Sequence, residues 1–249
     1  MTNPSVKLVI FDKDGTLVDF HRMWLPYAHA TVRLLETATG RGVGPAVYKT
    51  LGVDPHKQRV SMGSLAEKTL LGIRKDVAMT LVEEHDIPHD EAHRIVEHAV
   101  PEQSPGETWP VCDLQILMEE LRQMGVKSAV CTADSRAATV NQLKLLRIEH
   151  YMDHVVCGND VGIIPKPSPH CAVQICKKLN VELKDTIMVG DTIADLKMGR
   201  VAGLRASVGV LTGVGNRETL AQYTDYFIED VSELPGLIRN KINEDTKRG

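Results

Sequence analysis

The stretch "KLVIFDKDGTLVDFHRMW", residues 7–24, ends an apolar run on Asp12 and places Asp14 two positions later, just before a Gly-Thr turn. Side chains two apart on an extended chain point the same way, so both carboxylates can reach one small volume. Like charges so placed repel, and a third, Asp191 of "GDTIAD", would add to the repulsion. A hard divalent cation held by oxygen ligands relieves it. Magnesium suits the pattern best, because it takes one or two carboxylates, keeps waters and leaves room for a phosphate oxygen. The opposite pole is Lys166 in "PKPSPH" and Thr132 at the end of "VKSAVCT". These supply an ammonium, a hydroxyl and, from Ala133 into the next helix, backbone N–H groups suited to an anion. Cation, lysine and amides together can neutralise a phosphoryl group. Transfer of such a group needs mainly positioning and charge stabilisation, with one aspartate as covalent acceptor and another as acid and base.

The elements that must position these residues are legible as Val/Ile-rich runs at 6–11, 126–131, 154–158, 186–190, 205–210 and 225–228. Between the later runs lie helical patterns, "CDLQILMEELRQMG", "SRAATVNQLKLL" and "PHCAVQICKKL". This alternation predicts an α/β fold, a Rossmann-like doubly wound parallel sheet, in which ligands collect beyond the carboxyl ends of the strands. From about residue 20 the rhythm breaks into helical periodicities such as "MWLPYAHATVRLLETA", "LAEKTLLG", "KDVAMTLVEEH" and "HDEAHRIVEHAV", with no convincing strand. We therefore expect a core of residues 1–19 and 106–249 and an inserted all-helical cap of residues 20–105. The segment after Leu17 leads out, and "PEQSPGETWP" (101–110) leads back.

At 249 residues and 43% hydrophobic the chain can bury a substantial core, and its net charge of −4 provides no broad cationic field for nucleic acid or anionic lipid. The N-terminus lacks a secretory pattern and no apolar run reaches the roughly 18 residues of a membrane span, so a soluble cytoplasmic protein is expected. Five cysteines, an odd number without a C-x-x-C pair, are expected as reduced thiols, mostly in the core.

"DKDGT", the strand-end Thr132, "KPSP" with Lys166 and "GDTIAD", in that order and after the right strands, resemble the four motifs of the haloacid dehalogenase-like hydrolase superfamily. The inserted helical segment resembles the cap of the subgroup that includes phosphoglycolate phosphatase and β-phosphoglucomutase. The resemblance implies that Asp12 is the nucleophile, forming an aspartyl-phosphate, and that Asp14 protonates the leaving group and then activates water. It implies that Thr132, Ala133 and Lys166 hold the phosphoryl oxygens. Magnesium would be bound by Asp12, the Asp14 main-chain carbonyl and Asp191, with Asp195 helping through water or by holding Lys166. The implied substrate is a small phosphorylated metabolite; the sequence discloses neither its identity nor the oligomeric state. Specificity would sit on cap loops, with "SMGSLAEK" (61–68) and the stretch His21 to Trp24 as candidates. A phosphosugar mutase would use the same aspartates, but the cap histidine of β-phosphoglucomutases corresponds here to Trp24. The third reading is a regulatory protein that kept the fold without turnover.

Other features have plainer readings. Lys13 is expected to point away from the aspartates, packed or solvated. His89 and His93 stand one helical turn apart but read as a polar helix face. Ser168 reads as a helix N-cap ahead of Pro169, and Asp195 as favourable in the first turn of its helix. "DEAH" lacks a P-loop, and "GRGVGP" and "GVGNRE" read as glycine-rich turns.

Overall fold

A computed structural model of the chain describes residues 6–61, 63–68, 70–101, 107–224 and 226–243. Along the chain these form β1 (Leu8–Phe11), α1 (Phe20–Thr39), α2 (Gly44–Leu51), β2 (Val53–Asp54), β3 (Arg59–Val60), α3 (Ser64–Glu67), α4 (Leu70–His85) and α5 (His89–Ala99). There follow α6 (Leu114–Gln123), β4 (Lys127–Cys131), α7 (Arg136–Leu145), β5 (Met152–Val156), α8 (His170–Leu179), β6 (Thr186–Gly190) and α9 (Ile193–Ala202). The last are β7 (Ala206–Val210), α10 (Arg217–Leu220), β8 (Tyr226–Ile228) and α11 (Leu234–Leu237). The chain divides into two compact units, residues 1–19 with 108–249, and residues 20–107.

In the larger unit six parallel strands form one sheet in the order β5-β4-β1-β6-β7-β8, the doubly wound α/β arrangement expected. Every residue of β1 and β6 is buried, and these strands read as unbroken apolar runs because helices cover both faces of the sheet. Leu8, Val9, Ile10 and Phe11 are wholly inaccessible. Their burial contributes on the order of 6–12 kcal/mol before chain entropy, at about 1.5–3 kcal/mol per side chain. That outweighs the several kcal/mol it costs to desolvate one carboxylate, so the strand can end on a buried aspartate.

The order of strands places the switch point at β1, the first strand, which has β4 on one side and β6 on the other. Phe11 is in register with Val130 and Val189, and Asp12 N–H continues the ladder to the Val189 carbonyl at 2.8 Å. Asp12, Thr132 and Asp191 therefore leave three adjacent strands within a residue of the same level.

The smaller unit is mostly helical, with one correction. Val53–Asp54 and Arg59–Val60 pair as a two-stranded antiparallel ribbon, so the unit is not all-helical as the periodicities imply. "LAEKTLLG", expected as one helix, is divided between α3 and α4. Half of the expected return linker, residues 102–106, and Met62 of "SMGSLAEK" lie outside the described residues. Among the described residues no helix is long and apolar enough to cross a membrane.

Candidate active site

Lys166, in the loop between β5 and α8, reaches back to the strand ends. Its Nζ lies 2.6 Å from Asp12 Oδ1, 2.5 Å from Asp195 Oδ1 and 3.2 Å from the Cys131 carbonyl. Burial alone would lower its pKa, but Asp12 and Asp195 hold it well above the ordinary lysine value, so it stays an ammonium. Asp12, only 5% exposed, is pushed up to about 7 by burial, against the opposing pull of Lys166.

Asp191 is held by neutral donors: the Val214 N–H at 2.9 Å and, more weakly, the Thr16 hydroxyl at 3.4 Å. Burial, then Asp12 and Asp195, raise its pKa well above the carboxylate range. Two glycines make room for it. A Cβ on Gly15, whose φ is +90°, would lie 2.5 Å from Asp191 Oδ2, and one on Gly213 would press harder on the same oxygen.

Asp12, Asp191 and Asp195 each bring a carboxylate oxygen within 4.8 Å of the others. Fully ionised, the three carboxylates against the Lys166 ammonium would carry a formal charge of −2 in a buried volume, which is why burial and crowding push the pKa values of Asp12 and Asp191 up unless something further neutralises them. This donor set fits a hard divalent cation, which would cancel that charge. The two oxygens of Asp195 are already engaged: Oδ1 by Lys166, and Oδ2 by Thr192 N at 3.0 Å and Thr192 Oγ1 at 2.5 Å. With Thr192 Oγ1 accepting from Asp195 N, this is the capping box that starts α9. Asp195 is thus both a helix cap and the anchor of Lys166.

Thr132 is buried at the end of β4, its N–H bonded to the Val156 carbonyl and its Oγ1 accepting from Asp134 N. The Ala133 N–H donates to none of the described residues, which leaves it available to an anion. Asp14 is held apart from the cluster: its Oδ1 accepts from Lys13 Nζ at 2.6 Å. The expectation that Lys13 points away from the aspartates needs correction here, although its side chain is packed rather than solvated. The regular strand stops at Phe11, and the wholly buried Lys13 ammonium is paired with Asp14, Asp134 and Gln142.

Several residues escaped the sequence reading. Gly15, Thr16, Gly213 and Val214 line the Asp191 carboxylate, and the only signal for the last two was a glycine-rich turn. Asp134 and Gln142 carried no signal, since they find Lys13 only through the fold. The plainer readings fare as follows. His89 and His93 lie side by side with ring centroids 4.4 Å apart, but among the described residues no metal-competent cluster includes them. Trp24 packs between Phe20 and Tyr27, and His21 Nδ1 accepts from Val60 N–H at 3.1 Å. Ser168 Oγ accepts from His170 N–H, but α8 starts at His170, one residue later than the expected cap implies. All five cysteines are free thiols, four of them buried.

A family profile for haloacid dehalogenase-like hydrolases matches residues 6–203. The chain belongs to that family. Among curated members of the haloacid dehalogenase-like hydrolases it is similar to a phosphoglycolate phosphatase of Agrobacterium fabrum, 27% identical over 97% of this chain and 96% of that one. A pyrophosphatase, PpaX, of Bacillus velezensis is 28% identical over 94% and 97% of the two chains. A crystal structure described as a predicted phosphoglycolate phosphatase from Haemophilus somnus superposes with a TM-score of 0.65 at 20% identity, covering 94% and 98%. A β-phosphoglucomutase from Clostridium difficile gives 0.60 at 18%, covering 98% and 100%. These two structural likenesses establish the fold alone. With the family match and the sequence relatives, the chain is a phosphatase of the haloacid dehalogenase-like type.

Proposed function

We propose that the protein is a magnesium-dependent phosphatase of small phosphate monoesters, working through a phosphoryl group carried on Asp12. The observation that supports it is the convergence of Asp12, Asp191, Asp195 and Lys166 on one buried strand-end cluster. Asp12, Asp191 and the Asp14 main-chain carbonyl would hold the magnesium, with Asp195 fixing Lys166. Bound there, the ion neutralises phosphoryl oxygens and the crowded carboxylates.

An Asp12 carboxylate oxygen attacks phosphorus as the bond to the leaving oxygen breaks, and Asp14 gives that oxygen its proton. Lys166, Thr132 and the Ala133 N–H hold the equatorial oxygens, which carry the charge of the transition state. Asp14, now a carboxylate, takes a proton from the water that attacks the aspartyl-phosphate. Inorganic phosphate leaves and both aspartates return to their starting states.

The decisive experiment is Asp12→Asn. We expect magnesium-dependent release of phosphate from p-nitrophenyl phosphate by the wild type, and a loss of at least about 10⁴-fold in the variant, with no acid-stable phosphoryl label on the protein. Turnover by Asp12→Asn at the wild-type rate would end this reading. A panel that includes phosphoglycolate and pyrophosphate, the compounds named for the relatives, identifies the substrate. Isomer formation from a hexose 1-phosphate would instead mark a mutase, against which Trp24 stands.

A further inference from the structure

We propose that Lys13 is a positioning residue for Asp14. It is an ammonium buried beside the site, held by Asp134 and Gln142, that fixes the Asp14 carboxylate for proton transfer. The proposal rests on the reading of Asp14 as acid and base given above. Lys13 cannot touch the substrate, because its side chain is 0% exposed, whereas those of Asp14 and Asp134 are 23% and 35% exposed. Its Nζ lies 2.6 Å from Asp14 Oδ1 and 3.2 Å from Asp134 Oδ2, and it also donates to Gln142 Oε1.

The two outer anchors are themselves fixed. Asp134 Oδ1 accepts from Ser135 N–H at 2.6 Å, its own N–H donates to Thr132 Oγ1, and Gln142 is buried on α7. A chain of contacts thus runs from the loop that carries Thr132 and from α7, through Lys13, to one oxygen of Asp14. The other oxygen, Oδ2, accepts no hydrogen bond from the described residues, which makes it the one free to carry and deliver the proton. Packing alone would be served better by an apolar side chain, since burying an ammonium carries a large desolvation cost. What the lysine adds over such a residue is a directional hold on Asp14.

The test uses Lys13→Met, which keeps the buried stem, beside Asp134→Asn and Asp14→Asn. Each is assayed on monoesters graded in leaving-group pKa, from p-nitrophenyl phosphate to alkyl phosphates including phosphoglycolate. kcat/KM reports the step that transfers phosphorus to Asp12, and only poor leaving groups need the proton. Lys13→Met should lower kcat/KM about 30-fold on the alkyl esters and less than about threefold on the nitrophenyl ester, with half-saturating magnesium unchanged. Asp134→Asn, at a partly exposed position, should shift the same ratio about fivefold and keeps the test open if Lys13→Met does not fold. Equal losses on all esters in both variants would make the lysine a structural tie and overturn the proposal. Leaving-group dependence in Asp14→Asn but not in the other two would overturn the Lys13 role alone. Its absence from Asp14→Asn would overturn the acid reading and this proposal with it.

Discussion

At the scale of single residues, the Asp191 side chain is closely confined, held by Val214 N–H and Thr16 and walled by two glycines. Gly213→Ala would drive a methyl group into the carboxylate, so the ligand must turn aside. Residues that orient a metal ligand are typically worth 10- to 100-fold in affinity. We expect Gly213→Ala to raise half-saturating magnesium by about 30-fold with a smaller change in kcat at saturation, read from a magnesium titration of activity. Asp12, Asp14, Thr132 and Asp191 could be singled out from sequence because each stands where an apolar run gives way to a polar turn, and Lys166 because "PKPSPH" leads into the next helical pattern. Gly213 and Val214 could not, because their partner is the side chain of Asp191 and nothing local distinguishes their turn from any other. Lys13 was misjudged for a related reason: alternation along a strand was extended past Phe11, and the tertiary partners Asp134 and Gln142 were invisible.

At the scale of elements, α9 joins stability to the site through one residue, since the capping box of Thr192 and Asp195 starts the helix and also aims Asp195 at Lys166. Thr192→Ala should therefore cost about 1 kcal/mol of stability, a drop in Tm of about 2–4 °C, and also lower kcat as Lys166 loses a fixed partner. Thr192→Ser, which caps equally well, should recover both in thermal melts and initial rates. Strand β6 falls where its apolar run predicts, at 186–190, but β5 starts earlier than its apolar run. Asp153 accepts from Ser128 N–H where the β4–β5 register shifts, so the first half of the strand carries Asp153 and His154, polar residues that a hydrophobicity pattern passes over. The ribbon of β2 and β3 escaped because two residues per strand are too few to show a period of two.

At the scale of the whole molecule, the excess of acid over base at the strand ends links stability to metal. Magnesium at 100 times its dissociation constant should stabilise the fold by about 2.7 kcal/mol, seen as a rise in Tm over chelator-treated protein. Asp191→Asn should abolish that rise and yet melt higher than the wild type in chelator, since it removes one of three crowded carboxylates. A variant less stable than wild type in chelator would argue that hydrogen bonds to Asp191, rather than repulsion, dominate there. The segments so joined are far apart in sequence: Thr16 meets Asp191 across 175 positions, and β1 is flanked by strands that come long after it. During synthesis on the ribosome, then, β1 must wait for β4 and β6, and the turn bearing Val214 must clear the exit tunnel before the acidic cluster is complete. A nascent chain halted before β6 would leave one edge of β1 unpaired and Asp12 without Asp191 beside it.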